Sequence, residues 1–399
     1  MKILFINTLY SPYIGGGAEI ILKSLVEGIA SQGHEVCVLS TCAEDDHEEF
    51  IDGIRVIRVR IENVYWNYSK DNKSSLQRLR WHLNDIYNFS MAKKVERIIN
   101  EFQPDIVNTH NVVGFSAAVW PAIRKSNIPI VQVLHDQYAI CPNSNMFKDG
   151  KRCEKQCNKC KAFRLCHKTL SNNVNCVVGV SDFVLQHHLQ NGLFAKSEMK
   201  TSILNAKQFK VTAIPKKGID KRNIRFGYIG ALVQAKGIEV LLQTFSGLSA
   251  FDNISLTVAG SGSADYVRGL KKYEGERINF IGYISPDKFF ENIDVLIVPS
   301  LWNDTLPTVV FESLVNGIPV IGSSRGGIPE MISEGNNGFL FNPDSSDELK
   351  KIILAIEENP SIIDDMRDFS LESADRFMDV ESWIDRYLNI FSDLMLEGK

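Results

Sequence analysis

One run in the second half of the chain combines two carboxylates with the start of a predicted helix. It extends from Pro299 to Glu312, and seven residues separate its two carboxylates, Asp304 and Glu312. Proline suits the first position of a helix, so Pro307 predicts a helix from Thr308. The free amides at the start of that helix favour a diphosphate, and carboxylates accept hydrogen bonds from sugar hydroxyls. The alternative is an ordinary helix start with a solvated glutamate.

A glycine run near the N-terminus is a second candidate for anion binding. Gly15, Gly16 and Gly17 precede a predicted helix. Glycines let the backbone approach a ligand closely, and the start of a helix favours an anion. A flexible turn explains the run equally well. Neither half of the chain has the Gly-x-Gly-x-x-Gly spacing of dinucleotide sites, so a dehydrogenase is poorly supported.

Four of the eight cysteines lie close together, in a segment rich in lysine and arginine. Eight cysteines in 399 residues are too few for a disulfide scaffold, so reduced thiols are expected. Three interpretations compete: a structural zinc loop, an acceptor-docking lid, and free cysteines packed as small apolar side chains. The basic face could attract a phosphate-bearing acceptor or anionic lipid headgroups, or it is simply a solvated surface. The four candidate zinc ligands are Cys153, Cys157, Cys160 and Cys166.

The composition is that of an ordinary globular protein. The 44 Lys plus Arg against 48 Asp plus Glu give a net charge of −4, which argues against nucleic acid as a partner. The length predicts two or three domains. Because no apolar run approaches about 18 residues, and the first apolar run ends at Asn7, we expect neither a membrane-spanning helix nor a signal peptide. The expected location is the cytosol.

Short apolar strands alternate with helical segments along most of the chain, which is typical of parallel sheets covered on both faces. Between the two series of strands, residues 205–223 combine Pro215, Gly218 and five lysines, and predict a linker. We therefore expect an α/β protein with two doubly wound domains. Their bounds are 1–204, with a cysteine-rich insert at 141–168 and a C-terminal helix at 381–399 that completes the domain, and 224–380. In such sheets ligands bind beyond the carboxyl ends of the strands.

Taken together, these segments resemble the family 4 retaining glycosyltransferases, which have the GT-B fold of two Rossmann-like domains facing across a cleft. The family carries two glutamates at the positions of Asp304 and Glu312, so Asp304 is a departure that shortens the side chain. Further similar segments occur in the same order along nearly the whole chain. They are Gly15 to Gly17, Pro104 to Asn111, Leu134 to Asp136, Val180-Ser181, Gly230 to Leu232 with Lys236-Gly237, and Gly326 to Glu330.

The resemblance implies roles for individual residues. Glu312 would bind the ribose and Asp304 the transferred sugar, while Lys236 and the helix start at Thr308 would neutralise the diphosphate, so no metal is required for catalysis. His135 would contact the donor sugar or the acceptor. The family usually has an arginine where this chain has Ala231. The implied set comprises catalytic His135, Asp304 and Glu312; donor-binding Gly16, Gly17, Lys236, Leu306, Pro307, Thr308 and Glu312; and, on the acceptor side, His110 and Asp136.

The implied activity is retaining transfer of a hexosyl or N-acetylhexosaminyl group from a nucleotide-diphosphate sugar to a glycan or lipid-linked acceptor, in surface polysaccharide biosynthesis. Peripheral contact with the inner face of the membrane is compatible with that role. Two alternatives stay open. One is a nucleotide-sugar epimerase of the same fold, and the other is a catalytically weak binding subunit, which the departures at Asp304 and Ala231 would favour.

Overall fold

The structure is a computed structural model that describes residues 1–69, 72–209, 218–220, 222–248, 252–345 and 347–397. Residues 210–217 and 221 of the predicted linker, and residues 398–399 of the predicted C-terminal helix, lie outside the described residues. The chain divides into two compact units. Unit 1 comprises Met1–Met146, Cys153–Lys207 and Asp379–Lys399, and unit 2 comprises Phe147–Arg152 and Gln208–Met378.

The strands and helices alternate in both units. The strands are β1 Lys2–Ile6, β2 Glu35–Cys42, β3 His47–Ile51, β4 Ile54–Arg60, β5 Ile106–Thr109, β6 Ile130–Leu134, β7 Phe147–Lys148, β8 Lys151–Arg152, β9 Cys176–Gly179, β10 Met199–Ser202, β11 Ile224–Ile229, β12 Ile254–Ala259, β13 Ile278–Gly282, β14 Val295–Val298, β15 Val320–Ser323 and β16 Gly338–Phe341. The α-helices are α1 Gly17–Ser31, α2 Ser75–Asn84, α3 Phe89–Phe102, α4 Val119–Arg124, α5 Asn158–Phe163, α6 His167–Leu170, α7 Asp182–Gln190, α8 Ile238–Ser246, α9 Ala264–Leu270, α10 Pro286–Phe290, α11 Thr308–Val315, α12 Glu348–Glu358, α13 Ser361–Met378 and α14 Val380–Glu397.

The sheet of unit 1 has the strand order β10-β9-β6-β5-β1-β2-β4-β3. All neighbours pair in parallel except β3 and β4, which form an antiparallel hairpin. The central strands β1, β5 and β6 are almost wholly buried because helices cover both faces. Their carboxyl ends therefore present loops at one edge of the sheet, where side chains from separate segments meet.

The hairpin β3–β4 was not predicted from the sequence, because arginines interrupt the apolar pattern of β4. The structure buries one of them. The Arg58 guanidinium is about 1% exposed, forms an ion pair with Glu49, and donates to Ser40 Oγ at 3.0 Å and to the carbonyl of Ser11. A buried cation with several acceptors can be accommodated inside a sheet, so a charge in the pattern does not end a strand.

Unit 2 contains a six-stranded parallel sheet in the order β13-β12-β11-β14-β15-β16. Unit 2 also includes the small antiparallel pair β7–β8. The core of unit 2 forms between the sheet and its helices, where side chains such as Phe226, Leu241 and Ile353 are buried. The loops after β11, β14 and β15 leave the sheet at adjacent positions.

The last helix, α14, packs in unit 1 against α1. Gly28 of α1 makes this approach close: a Cβ atom there would lie 2.1 Å from Cδ1 of Ile384. Gln32 and Asp385 add a side-chain hydrogen bond of 3.3 Å across the same pair of helices. Among the described residues, none of the helices combines the length and the apolar character that crossing a membrane requires.

Candidate active site

Three strand-end loops of unit 2 meet at one edge of its sheet. Lys236 lies in a 3₁₀ turn after β11, Asp304 in the loop after β14, and Gly326 in the loop after β15. The amide of Leu301 donates to the carbonyl of Ala235 at 2.9 Å, and the amide of Gly327 donates to the carbonyl of Asp304 at 2.8 Å. These backbone bonds hold the three loops against one another.

Lys236 and Asp304 form an ion pair at the centre of these loops. The Asp304 side chain is about 8% exposed and the Lys236 side chain about 27%. The Lys236 ammonium also lies 5.3 Å from the centre of the Trp302 ring, within the range of a cation–π interaction. The indole N–H of Trp302 is buried and has no hydrogen-bond partner among the described residues. The sequence did not single out Trp302.

Two glycines let these loops approach closely. A Cβ atom at Gly326 would lie 1.9 Å from the Asp304 carbonyl oxygen, and one at Gly237 would lie 1.8 Å from the carbonyl oxygen of Pro299. Both residues have positive φ, +59° and +73°, a conformation that glycine adopts without strain. Any side chain at either position would push the loop that carries Asp304 away from Lys236.

Helix α11 begins at Thr308, as predicted, with Pro307 at the N-cap position immediately before it. Leu306 is buried in the preceding loop. Glu312, in the second turn of α11, is about 7% exposed. The loop and the helix therefore carry Asp304, the first amides of α11 and Glu312 in one continuous segment. A helix start of this kind favours an anion.

A buried pair of histidines lies at the sheet edge of unit 1, where His110 follows β5 and His135 follows β6. His110 Nδ1 lies 2.8 Å from His135 Nε2, and His110 Nε2 lies 2.9 Å from Asn108 Oδ1. Because Asn108 Nδ2 donates to the carbonyl of Val131, its Oδ1 must accept from His110 Nε2–H. His110 Nδ1 then accepts from His135 Nε2–H, which leaves Nδ1 as the unprotonated nitrogen of His135.

Both histidines are neutral at physiological pH. Burial lowers the pKa of His135 to about 4, and burial together with His135 holds the pKa of His110 well below its usual value. His110 is only about 3% exposed, and its contact with His135 holds the His135 ring in place. The sequence placed His110 on the acceptor side, and the structure brings it into contact with His135.

Asp136 follows His135 and faces a cavity of about 320 Å³ in unit 1. The walls of this aromatic cavity include Tyr65, Tyr68 and Trp81, together with Asn111. Burial raises the pKa of Asp136 to about 6, although its Oδ1 accepts a hydrogen bond of 2.7 Å from the amide of Tyr138. Aromatic rings and hydroxyl-bonding groups together suit the alternating apolar and polar faces of a sugar.

The glycine run lies at the start of α1, with Gly16 as the N-cap residue and Gly17 as the first residue of the helix. The Gly16 amide donates to Glu19 Oε2 at 2.8 Å. Burial raises the pKa of Glu19. The Glu19 carboxylate therefore already accepts a hydrogen bond from one of the amides at this helix start.

The cysteine-rich insert brings a different set of thiols together from the one predicted. Cys160 Sγ lies 3.5 Å from Cys157 Sγ and 3.7 Å from Sγ of Cys141, a residue outside the predicted set. Cys153 and Cys166 are half-buried. In the described part of the chain, no group of three or more His, Cys, Asp or Glu side chains has an arrangement suited to a metal ion. The zinc interpretation stays a prediction.

Sequence comparison identifies the family. Residues 15–199 match glycosyltransferase family 4, and residues 209–373 match the glycosyl transferases group 1. The chain belongs to the group 1 glycosyltransferases. An uncharacterized 42.6 kDa protein in the cps region of Klebsiella pneumoniae is 31% identical over 333 residues, which cover 83% of this chain and 87% of that protein.

The solved structures that this glycosyltransferase resembles have the GT-B fold. Sucrose-phosphate synthase from Thermosynechococcus elongatus superposes with a TM-score of 0.78 at 17% identity, covering 99% of each chain. Anabaena HepE in complex with UDP and glucose superposes with a TM-score of 0.71 at 20% identity, covering 98% of this chain and 99% of that one. The predicted α/β class with two Rossmann-like domains is confirmed.

Proposed function

We propose that this glycosyltransferase moves a sugar from a nucleotide-diphosphate sugar to a glycan or lipid-linked acceptor in surface polysaccharide biosynthesis, with retention at the anomeric carbon. The observation that carries the proposal is the Lys236–Asp304 pair between the strand-end loops of unit 2, directly before the start of α11. Similarity to a protein in a cps region supports the polysaccharide role.

The donor site is assigned to unit 2. Lys236 and the first amides of α11, from Thr308 onward, would neutralise the diphosphate, because a cation and free amides together stabilise a developing phosphate charge. Asp304 would accept from the hydroxyls of the transferred sugar, and Glu312 from the ribose. Trp302 adds a buried N–H donor at the same place. The complex of Anabaena HepE with UDP and glucose supports UDP as the first nucleotide to test.

The acceptor is assigned to the aromatic cavity of unit 1. Asp136 would accept from an acceptor hydroxyl, and the rings of Tyr65, Tyr68 and Trp81 offer faces for the apolar side of a sugar. The unprotonated Nδ1 of His135 provides a second acceptor. His110 and Asn108 hold His135 in that tautomer.

In the reaction, the bond between the anomeric carbon and the phosphate oxygen breaks while the acceptor oxygen attacks from the same face. The leaving phosphate oxygen takes the proton of the acceptor hydroxyl, so no carboxylate acts as a separate base. Lys236 stabilises the departing diphosphate. Asp304 is held by Lys236 and positions the sugar.

The test of this function measures product formation and donor binding with a matched pair of variants. Glu312→Gln keeps the size of the side chain and removes its charge, and we expect it to lose UDP affinity about tenfold, the usual effect of removing a charge-assisted hydrogen bond. Glu291→Gln, an exposed substitution on the same unit, should bind UDP as wild type does.

Two outcomes would replace the proposal by an alternative. Formation of an epimerised nucleotide sugar without any acceptor would identify a nucleotide-sugar epimerase. Failure of the wild-type protein to bind any of a panel of UDP, GDP and ADP sugars would identify a binding subunit. Product of inverted anomeric configuration would refute retention.

A further inference from the structure

Helix α2 of unit 1 presents a row of exposed leucines. Leu76, Leu79 and Leu83 are about 59%, 46% and 51% exposed. At 100° per residue these three side chains lie within about 60° of one another around the helix. Trp81, the buried residue of α2, points to the opposite side, where it lines the aromatic cavity. The helix therefore packs through one side and leaves an apolar stripe uncovered.

The surface around this stripe is positively charged. From Lys73 to Lys94 the only acidic residue is Asp85, which is completely buried. Arg78 and Arg80 are exposed on α2 itself. Tyr87 and Phe89, just beyond α2, extend the exposed apolar surface.

Helix α5 continues the same surface. The rings of His82 on α2 and Phe163 on α5 lie 5.6 Å apart, and the cations of Arg164 and Lys159 help to lower the pKa of His82 to about 4, after the larger effect of burial. Leu165, two residues after the end of α5, is about 75% exposed. Exposed lysines accompany it at positions 155, 159, 161 and 168.

A buried ion pair fixes the two helices to each other. Asp85, the C-cap residue of α2, lies 3.5 Å from Nη1 of Arg164, and both side chains are fully buried. Tyr138 Oη donates to Asp85 at 2.7 Å, and Arg164 Nε donates to the carbonyl of Tyr138 at 2.7 Å. These contacts therefore hold α2, with its apolar stripe, and α5, with its lysines, in a fixed arrangement. We call Leu76, Leu79, Leu83, Leu165 and the surrounding cations the α2 surface.

We propose that the α2 surface docks unit 1 on an anionic phospholipid membrane. Leucines would enter the boundary between headgroups and acyl chains, while lysines and arginines would contact the lipid phosphates, an arrangement typical of helices that lie in the membrane interface. Because α2 carries the leucine stripe on one side and Trp81 of the aromatic cavity on the other, a lipid-linked acceptor could stay in the membrane while its sugar enters the cavity. That last step rests on the proposed function, whereas membrane binding does not.

Vesicle flotation with the full chain tests the proposal. We expect binding to vesicles of 30% phosphatidylglycerol in phosphatidylcholine, none to pure phosphatidylcholine, and release as NaCl increases, since the attraction is partly electrostatic. The triple variant Leu76→Gln/Leu79→Gln/Leu83→Gln and the double variant Arg80→Gln/Lys159→Gln should each bind more than tenfold more weakly. Glutamine keeps a high helix propensity, so circular dichroism melts should match wild type.

Control variants alter equally exposed residues elsewhere. Phe50→Gln/Leu396→Gln removes exposed apolar side chains outside the α2 surface, and Arg222→Gln/Arg268→Gln removes exposed arginines from unit 2. Both should bind vesicles as wild type does. Absence of wild-type binding to the anionic vesicles, or undiminished binding by the leucine variant, would overturn the proposal. So would a concentration-dependent dimer that the leucine variant abolishes, because a second copy would then cover the stripe. Vesicle binding by a protein that binds none of the UDP, GDP and ADP sugars would support the membrane surface and refute the donor assignment alone.

Discussion

Replacing Lys236 by Met keeps most of the side-chain length and removes the charge that is paired with Asp304. Breaking a fully buried ion pair destabilises a protein by about 3–5 kcal/mol, because the remaining charge is buried without a partner. The Asp304 side chain is about 8% exposed, but Lys236 is about 27% exposed, so solvent can reach the vacated position. We therefore expect a loss of about 2 kcal/mol. For a unit of this size, that lowers Tm by about 4–8 °C.

The assay is a double-mutant cycle at pH 7 in which calorimetry measures the Tm of each variant. Lys236→Met should show the full loss, because it leaves the Asp304 carboxylate uncompensated. The double variant Lys236→Met/Asp304→Asn removes the stranded charge and should melt within about 2 °C of wild type, since the destabilising charge is gone. A Lys236→Met protein that melts with wild type would refute the ion pair, as would a double variant no more stable than the single one.

Measuring UDP binding by the same variants separates the effect of Lys236 on stability from its effect on donor binding. Both variants that lack Lys236 should bind UDP about 10- to 100-fold more weakly, which corresponds to the loss of one charge-assisted hydrogen bond. The double variant should therefore recover its Tm without recovering UDP affinity. Wild-type UDP affinity in the double variant would show that Lys236 does not contact the diphosphate.

Two further predictions concern unit 1. Burial raises the pKa of the Asp136 carboxyl from 3.8 to about 6, so the folded state binds the carboxyl proton more tightly than the unfolded state does. Protonation of Asp136 therefore stabilises the fold fully below pH 3.8, and this stabilisation is lost as pH rises to about 6. At about 1.4 kcal/mol per pKa unit this shift corresponds to about 3 kcal/mol, so Asp136→Asn should raise Tm at pH 7 by about 6–12 °C relative to wild type. The variant should show no gain at pH 3.5, and it should lower transfer activity. An equal gain in Tm at both pH values would contradict the assignment. If the zinc prediction is right, protein purified without added metal should contain about one equivalent of zinc per chain. Cys160→Ser should lose that zinc, because it removes the thiol near both Cys141 and Cys157. Less than about a tenth of an equivalent in wild type would exclude zinc.

Much of the fold could be predicted because buried parallel strands are short, continuous apolar runs. β1, β11, β12 and β14 are runs of this kind. The strands β3 and β4 were missed since a local pattern does not reveal that Arg58 finds its acceptors on Ser40 and Ser11. Pairing of that kind depends on the tertiary structure.

The site was predictable where its residues adjoin one strand end, and not where contact depends on separate segments. Asp304 and Glu312 share one segment, so their spacing was visible. The contact of His110 with His135 and the approach of Cys141 to Cys160 arise between segments that the sequence separates. Trp302 could not be predicted from the sequence, because a tryptophan near a lysine is typical of ordinary packing. Only the structure shows that its indole N–H is buried without an acceptor among the described residues.

The packing of α14 against α1 has a consequence for synthesis. The ribosome makes α14 roughly 350 residues after α1. The apolar face of α1 around Gly28 therefore stays uncovered by α14 while unit 2 is translated. Unit 1 therefore completes its fold last although its first strand emerges first. Exposed apolar surface on a nascent chain invites aggregation and chaperone binding, and a shortened protein that ends before Trp383 would keep that surface uncovered.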